Sequence, residues 1–418
     1  MQDSKNWDWA VGEKRVEIAG WKDTYEWVEE YHVSPDGEKI GAIVRIDETS
    51  SGVCINGEVW GNNYEKIWHL RFSPQGVATA FVMNSDEWTV ATDETTWESR
   101  FGYVWDMRFS QTGDRTAVAF QQDGLYGMAI NDVCWENTFD NMSGMTISPG
   151  GDRAAAVVQV KPFSEGEIAK YQQGIFSVCE NDKAWEGVYT NVWDVALDDK
   201  NAITAATIRT GLYRYSIAVN DHPWSTSYAC AWEPAINPVT GAVSAPVKTK
   251  TGWTLAENDK LIWSGRYKQM WGHRYTPDGK SIVALVSPEY GQWSAAVDDQ
   301  VWKLLFNEYA GGLTLSPDGG RVAIIGKTGG KWGYAVDGKG SDTMFERIWE
   351  PVFSSDSAQV AFKVETGNGF SVVVNGRLMG ETFEAVWNPV FSPCNRFVMI
   401  RAIQNGIYVR KIISVDRI

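Results

Sequence analysis

Acidic side chains recur at one place in this chain, five residues before a recurrent turn position. They are Glu30, Asp106, Asp194, Glu233 and Glu350, and a tryptophan directly precedes the last four. A row of carboxylates repeated at one structural position would attract a cation or a basic protein surface. The duller reading is solvated charge at strand starts, or hydrogen bonding to neighbouring backbone. Paired carboxylates can also hydrolyse glycosides, and such a pair needs no fixed sequence spacing. The sequence therefore does not exclude that chemistry.

Other reactive residue types are sparse. There are four histidines, and His32, His69 and His273 fall in equivalent segments but at different offsets, so they are not expected to converge on a metal. Arg71, Arg108 and Arg274 share one offset and read as structural partners for the acids. The five cysteines (Cys54, Cys134, Cys179, Cys230, Cys394) contain no C-x-x-C pair, which removes zinc ribbons, thioredoxin-like redox motifs and c-type haem attachment. They read as small buried hydrophobes. No Walker loop, dinucleotide fingerprint, H-E-x-x-H or G-x-S-x-G stands in a fitting context. The expectation is a protein without a cofactor and without a catalytic motif.

The elements that must position these residues come from a repeat. Aligned on the turn that reads Ser-Pro-Asp-Gly in its fullest form, ten units follow one another at Pro35, Pro74, Gln111, Pro149, Asp199, Pro238, Pro277, Pro317, Ser355 and Pro393. The spacing is about 38 to 40 residues, with one longer step. Each unit holds four apolar or alternating runs. Strand a begins near a tryptophan, as in Trp68–Phe72 and Trp105–Phe109. Strand b is small and β-branched, strand c ends in Asn-Gly, Asn-Asp or Asp-Asp, and a short strand d carries another tryptophan. Asn and Asp suit a two-residue hairpin whose central residues need positive φ. Apolar strands b suit burial on both faces. The pattern predicts an all-β chain, a β-propeller of four-stranded blades spanning residues 1–418, with the 22 tryptophans packing blade on blade.

One closed ring of ten blades is expected, because the spacing runs unbroken through the middle; two five-bladed rings are the alternative. The last unit carries strands a, b and c and then stops. Trp21 occupies the strand-d offset, so residues 21–25 are expected to supply the missing outer strand of the last blade and remove its open edge. The long step is an insertion at residues 161–173 between strands b and c of the fourth unit, with Ser164 and Glu167 spaced as a capping box. It lies toward the face that bears the strand-a tryptophans. Phe163, Glu165, Glu167 and Tyr171 are therefore candidate partner-binding residues, together with the acidic row.

Composition limits the partners. The chain has 418 residues, 44% hydrophobic and 22% charged, with a net charge of -15. Nucleic acid is an unfavourable partner for such a charge. No run of eighteen apolar residues predicts a membrane span, and Met1–Asp8 lacks the form of a secretory signal. A cytoplasmic location is the default, with membrane association reached through a partner and no direct insertion.

The repeat W-x-P-V-F-S-P-D-G-x-x-V-A-F resembles WD40-like and TolB-like propellers. Its tryptophan-dense form over the whole chain looks most like the tryptophan-rich D subunit of the Tmc transmembrane redox complex of sulfate-reducing bacteria. That resemblance implies a non-catalytic scaffold of an electron-transfer complex serving sulfate respiration. Its partners would be a cytoplasmic iron–sulfur subunit and a membrane cytochrome b subunit. Two other classes stand beside it: a carbohydrate-binding or glycan-processing propeller, and a free-standing protein-interaction scaffold.

Overall fold

The computed structural model describes residues 4–164 and 166–418. Its ten antiparallel sheets make a ten-bladed β-propeller, which bears out the expected fold class and blade count. The chain divides into two compact units, Met1–Trp135 with Gln359–Ile418, and Glu136–Ala358.

In the first unit the second blade shows the standard plan: strand a Lys66–Phe72, b Ala78–Asn84, c Glu87–Thr92 and d Thr95–Thr96. Strand b is buried over six of its seven residues, as its small and branched side chains require. The a–b turn is held by a buried hydroxyl. Ser110, for example, donates to Asp114 at 2.7 Å and accepts the Arg115 N–H at 3.1 Å.

The c–d turn does more than reverse the chain. Both of its central residues have positive φ, 47° at Asn131 and 69° at Asp132 in the third blade, which Asn and Asp tolerate better than other side chains. Asn131 Oδ1 accepts the Thr116 N–H at 2.7 Å, so the turn also fixes the start of strand b. The Asp132 carboxylate accepts the Glu98 and Ser99 N–H groups of the preceding blade at 2.6 and 3.0 Å. In the second unit the Asp182, Asp221, Asp259 and Asp299 carboxylates likewise accept paired backbone N–H groups, from Glu136 and Asn137, Glu186 and Gly187, Ser225 and Thr226, and Ser264 and Gly265. A carboxylate held by two backbone donors makes a strong charge-assisted contact.

The closing strand lies elsewhere than residues 21–25. Gly12–Glu17 pairs antiparallel with strand c of the last blade, Ile407–Ser414, in register from Gly12 opposite Ile412 to Glu17 opposite Ile407. Trp21–Thr24 is instead one helical turn, α1. The reason is the length of strand c. It runs for eight residues and offers a longer free edge than a two-residue strand d can cover. Trp21 nevertheless fills the expected packing slot, buried against Ile18, Ile40 and Tyr408 as Trp60 is buried in the next blade.

Candidate functional site

The acidic row has a backbone origin. In the second, third, fourth, fifth, seventh and eighth blades strand a carries a one-residue bulge directly after the tryptophan slot. In the third blade Asp106 and Met107 together face Val118 alone. The bulged residue is left-handed every time: His69 at 60°, Asp106 at 53°, Gly144 at 60°, Asp194 at 51°, Gly272 at 58° and Gly312 at 58°. Gly and Asp are the residues that accept this conformation most cheaply. The bulge also turns the following side chain inward, and Leu70, Met107, Met145, His273 and Leu313 are all buried.

Glu30, Glu233 and Glu350 sit in blades of a different form. There strand a breaks into two short pieces, such as Cys230–Ala231 and Ala235–Ile236, with Pro234 or Pro351 beside the acid in the sixth and ninth blades. Proline supplies no N–H to the ladder, so the strand cannot run through.

Each acid has its own surroundings. Asp106 pairs with Arg108 at 2.8 Å, while Arg71 lies against the ring of His32 at 3.4 Å. Burial, then the Arg71 charge, pushes His32 down to about 4, so it stays neutral at physiological pH. Glu30 and Glu350 are exposed. Asp194 and Glu233, both in the second unit, interact with each other. Asp194 is exposed by surface area, yet neighbouring atoms crowd it. That partial desolvation, then the Glu233 charge, raises its pKa. Glu233 accepts the Gly272 N–H at 2.8 Å.

A tryptophan directly precedes each acid of this pair in the sequence. Trp193 is 38% exposed and stacks on Tyr215 at 5.9 Å; Trp232 is 43% exposed and stacks on Trp253 at 5.4 Å. Thr207 donates to the Trp232 carbonyl at 3.0 Å and so ties the fifth blade to the sixth. Blade packing accounts for the buried strand-d tryptophans such as Trp60, Trp135 and Trp263, but it leaves these two indoles partly uncovered.

The 161–173 insertion folds against the fifth blade. Its six-residue helix α2, Ile168–Gln173, is tethered by Tyr171, which donates to Asn191 at 2.9 Å, and by Thr190, which donates to the Gln172 carbonyl at 3.2 Å. Phe163 packs on Tyr171 at 5.8 Å. Only half of the expected capping box forms. Glu167 accepts the Ser164 N–H at 3.1 Å, but the helix begins after Glu167 rather than after Ser164. Glu167 also pairs with Lys170 at 2.8 Å. Glu165 lies outside the described residues.

The cysteines divide in a way composition did not reveal. Cys54 and Cys179 are buried, as expected, while Cys394 is exposed in the a–b turn of the last blade. It stands where four other turns carry Asp36, Asp278, Asp318 and Asp356, and the Ser392 hydroxyl lies 3.3 Å from its sulfur. That contact, then the Arg396 N–H, lowers its thiol to about 7.

No protein-family model and no curated protein matches the chain. Solved structures do. A crystal structure of the eukaryotic initiation factor aligns over 81% of this chain and 93% of its own, at 12% identity and a TM-score of 0.50. The Dos1 propeller aligns over 98% and 96%, at 11% identity and a TM-score of 0.34. TolB from Acinetobacter baumannii aligns over 73% and 79%, at 13% identity and a TM-score of 0.30. At such identities the likeness concerns the fold alone, a β-propeller.

Proposed function

We propose that this protein is a non-catalytic interaction scaffold that captures a basic protein surface. The observation that carries the reading is the pairing of two part-exposed indoles, Trp193 and Trp232, with the adjoining carboxylates of Asp194 and Glu233. Indole faces and carboxylates both favour Lys and Arg side chains, the first through cation–π attraction and the second through charge. Aromatic residues are also the commonest binding anchors of protein interfaces.

The finer reading is an accessory subunit of a membrane-associated electron-transfer complex, docked on its cytoplasmic iron–sulfur subunit beside a cytochrome b subunit. Its support is the tryptophan-dense repeat over the whole chain. The experiment is gentle solubilisation of membranes from cells carrying a tagged chain, with a visible spectrum of what co-purifies. Haem and iron–sulfur absorbance should accompany the wild type and fall at least about tenfold with Asp194→Asn plus Glu233→Gln. A colourless, solitary protein would sink the redox reading, and undiminished capture by the double variant would sink the site.

The same exposed indoles favour a second reading, carbohydrate binding, since sugar rings stack on such faces. A glycan that binds the wild type but not the Trp193→Ala, Trp232→Ala variant would replace the first reading.

A further inference from the structure

The b–c loops of the fourth and fifth blades carry a surface that neither the fold nor the proposed partner site uses. In the fifth blade strand b, Ile203–Gly211, turns into strand c, Arg214–Val219, through Leu212 and Tyr213. These two side chains are 72% and 74% exposed. Tyr213 has φ 56°, a left-handed conformation uncommon for a bulky aromatic, where Gly or Asn would fit at lower cost. The adjoining insertion repeats the pattern. Helix α2 buries none of its residues, Ile168 is 66% exposed and Phe163 is also exposed. Helix α2 touches strand b of the fifth blade, so the two loops form one edge of the second unit.

The sequence of this edge keeps a positive excess in a protein of net charge -15: Lys161, Lys170, Arg209 and Arg214 stand against Glu165 and Glu167, and Lys170 is paired with Glu167 at 2.8 Å. Arg209 is held over the Tyr215 ring at 5.8 Å and donates to the Gly211 carbonyl at 3.2 Å, which keeps it beside the loop.

We infer that the b–c loops of the fourth and fifth blades seat the protein on an anionic lipid surface. Apolar side chains on loop tips enter the headgroup boundary, and long basic side chains beside them reach lipid phosphates and carboxylates while burying their stems. Each cation close to an anionic leaflet adds to the attraction, and several together suffice for reversible binding. A protein partner would be expected to fit its anchors into a shaped pocket, whereas these groups project from two convex turns. The inference does not depend on the partner reading above, because purified protein and lipid alone decide it.

The test is flotation of the purified full chain with three probes: vesicles of phosphatidylcholine mixed with phosphatidylserine, vesicles of phosphatidylcholine alone, and beads coated with polyglutamate. The wild type should float with the mixed vesicles, bind pure phosphatidylcholine about tenfold more weakly, and lose binding as salt is raised. Leu212→Ser with Tyr213→Asn should weaken binding about tenfold with unchanged thermal unfolding, since Asn tolerates the left-handed turn. Lys170→Glu with Arg214→Glu should do the same. Equal binding to both kinds of vesicle overturns the inference, as does full binding by the Leu212, Tyr213 variant. No binding to mixed vesicles also overturns it, and retention on polyglutamate would then assign the edge to an acidic protein.

Discussion

The Tyr408 hydroxyl donates to the Gly37 carbonyl at 2.7 Å, joining strand c of the last blade to the a–b turn of the first across 371 residues of sequence. Two buried arginines act beside it. Arg401 donates to the Ser34 and Pro35 carbonyls at 3.0 and 3.2 Å, and Arg410 donates to the Asp36 carbonyl at 2.7 Å. Closure therefore rests on polar contacts to one turn as well as on the pairing of Gly12–Glu17. Arg410 also pairs with Glu38 at 3.2 Å while only 2% exposed. Removing a buried, hydrogen-bonded partner leaves its acceptors desolvated. Arg410→Ala should lower unfolding free energy by roughly 3 kcal/mol and Tyr408→Phe by about 1 kcal/mol, both read by urea denaturation. Negligible losses in both variants would show that the pairing of strand edges alone closes the last blade.

The left-handed bulge at Asp106 sets what substitution there should cost. If left-handed backbone selects the residue, Asp106→Gly should leave stability within about 0.5 kcal/mol, while Asp106→Val should cost roughly 1–2 kcal/mol. Were the position chosen only for a solvated charge, both variants would unfold alike. Thermal and chemical denaturation of the pair decides between them.

Cys394 should be the reactive thiol of the folded protein. With its thiol lowered to about 7 and its sulfur exposed, iodoacetamide at neutral pH should label it first, with a rate that rises through pH 7. Burial pushes the Cys179 thiol up to about 12, and it should react only after unfolding. Cys394→Asp introduces the residue found at Asp36, Asp278, Asp318 and Asp356 and should abolish the fast phase without loss of stability. Peptide mapping by mass spectrometry reads both results.

His273 sets a pH dependence. It fills the inward slot taken elsewhere by Leu70, Met107, Met145 and Leu313, and burial lowers its pKa from 6.5 to about 4. The folded state thus holds it neutral while the unfolded chain binds a proton below pH 6.5. Its stability contribution is complete above that pH and declines as pH falls toward 4, by roughly 3 kcal/mol in all. His273→Leu should flatten this window in denaturation curves taken from pH 7 to 4. An unchanged slope would place the acid sensitivity in other groups, such as His32.

How much of this was legible follows from the kind of signal each feature leaves. The blades were readable because a 38-residue repeat marks them with turn residues and alternating apolar runs. The c–d turns were readable as hairpins, since Asn131–Asp132 and its equivalents are turn formers. Their second task, holding the preceding blade, was not, because a carboxylate's distant partner leaves no local trace. Position alone suggested that Trp21 began a strand. The free length of Ile407–Ser414 decided otherwise, and that length is a property of the partner strand, far from Trp21 in sequence. The five acids were visible as a row, but the row mixes two backbone situations, the bulge at Asp106 and Asp194 and the broken strand at Glu233 and Glu350. Leu212 and Tyr213 gave a faint sign: two large apolar residues directly after Gly211, where the seventh blade carries a single aromatic, Tyr290, in its longer loop.

The reach of Asp132, Asp182, Asp221, Asp259 and Asp299 into the preceding blade has a consequence for how such a chain can grow. In these five blades each contact uses only a carboxylate at one corner of a unit and two backbone N–H groups of the unit before it. A duplicated unit arrives with both halves of the fastening and needs no compensating change in its neighbours. Blade number can then change by copying or loss of such units, while the junction between the last blade and the first turn depends on residues of its own, Arg401, Tyr408 and Arg410.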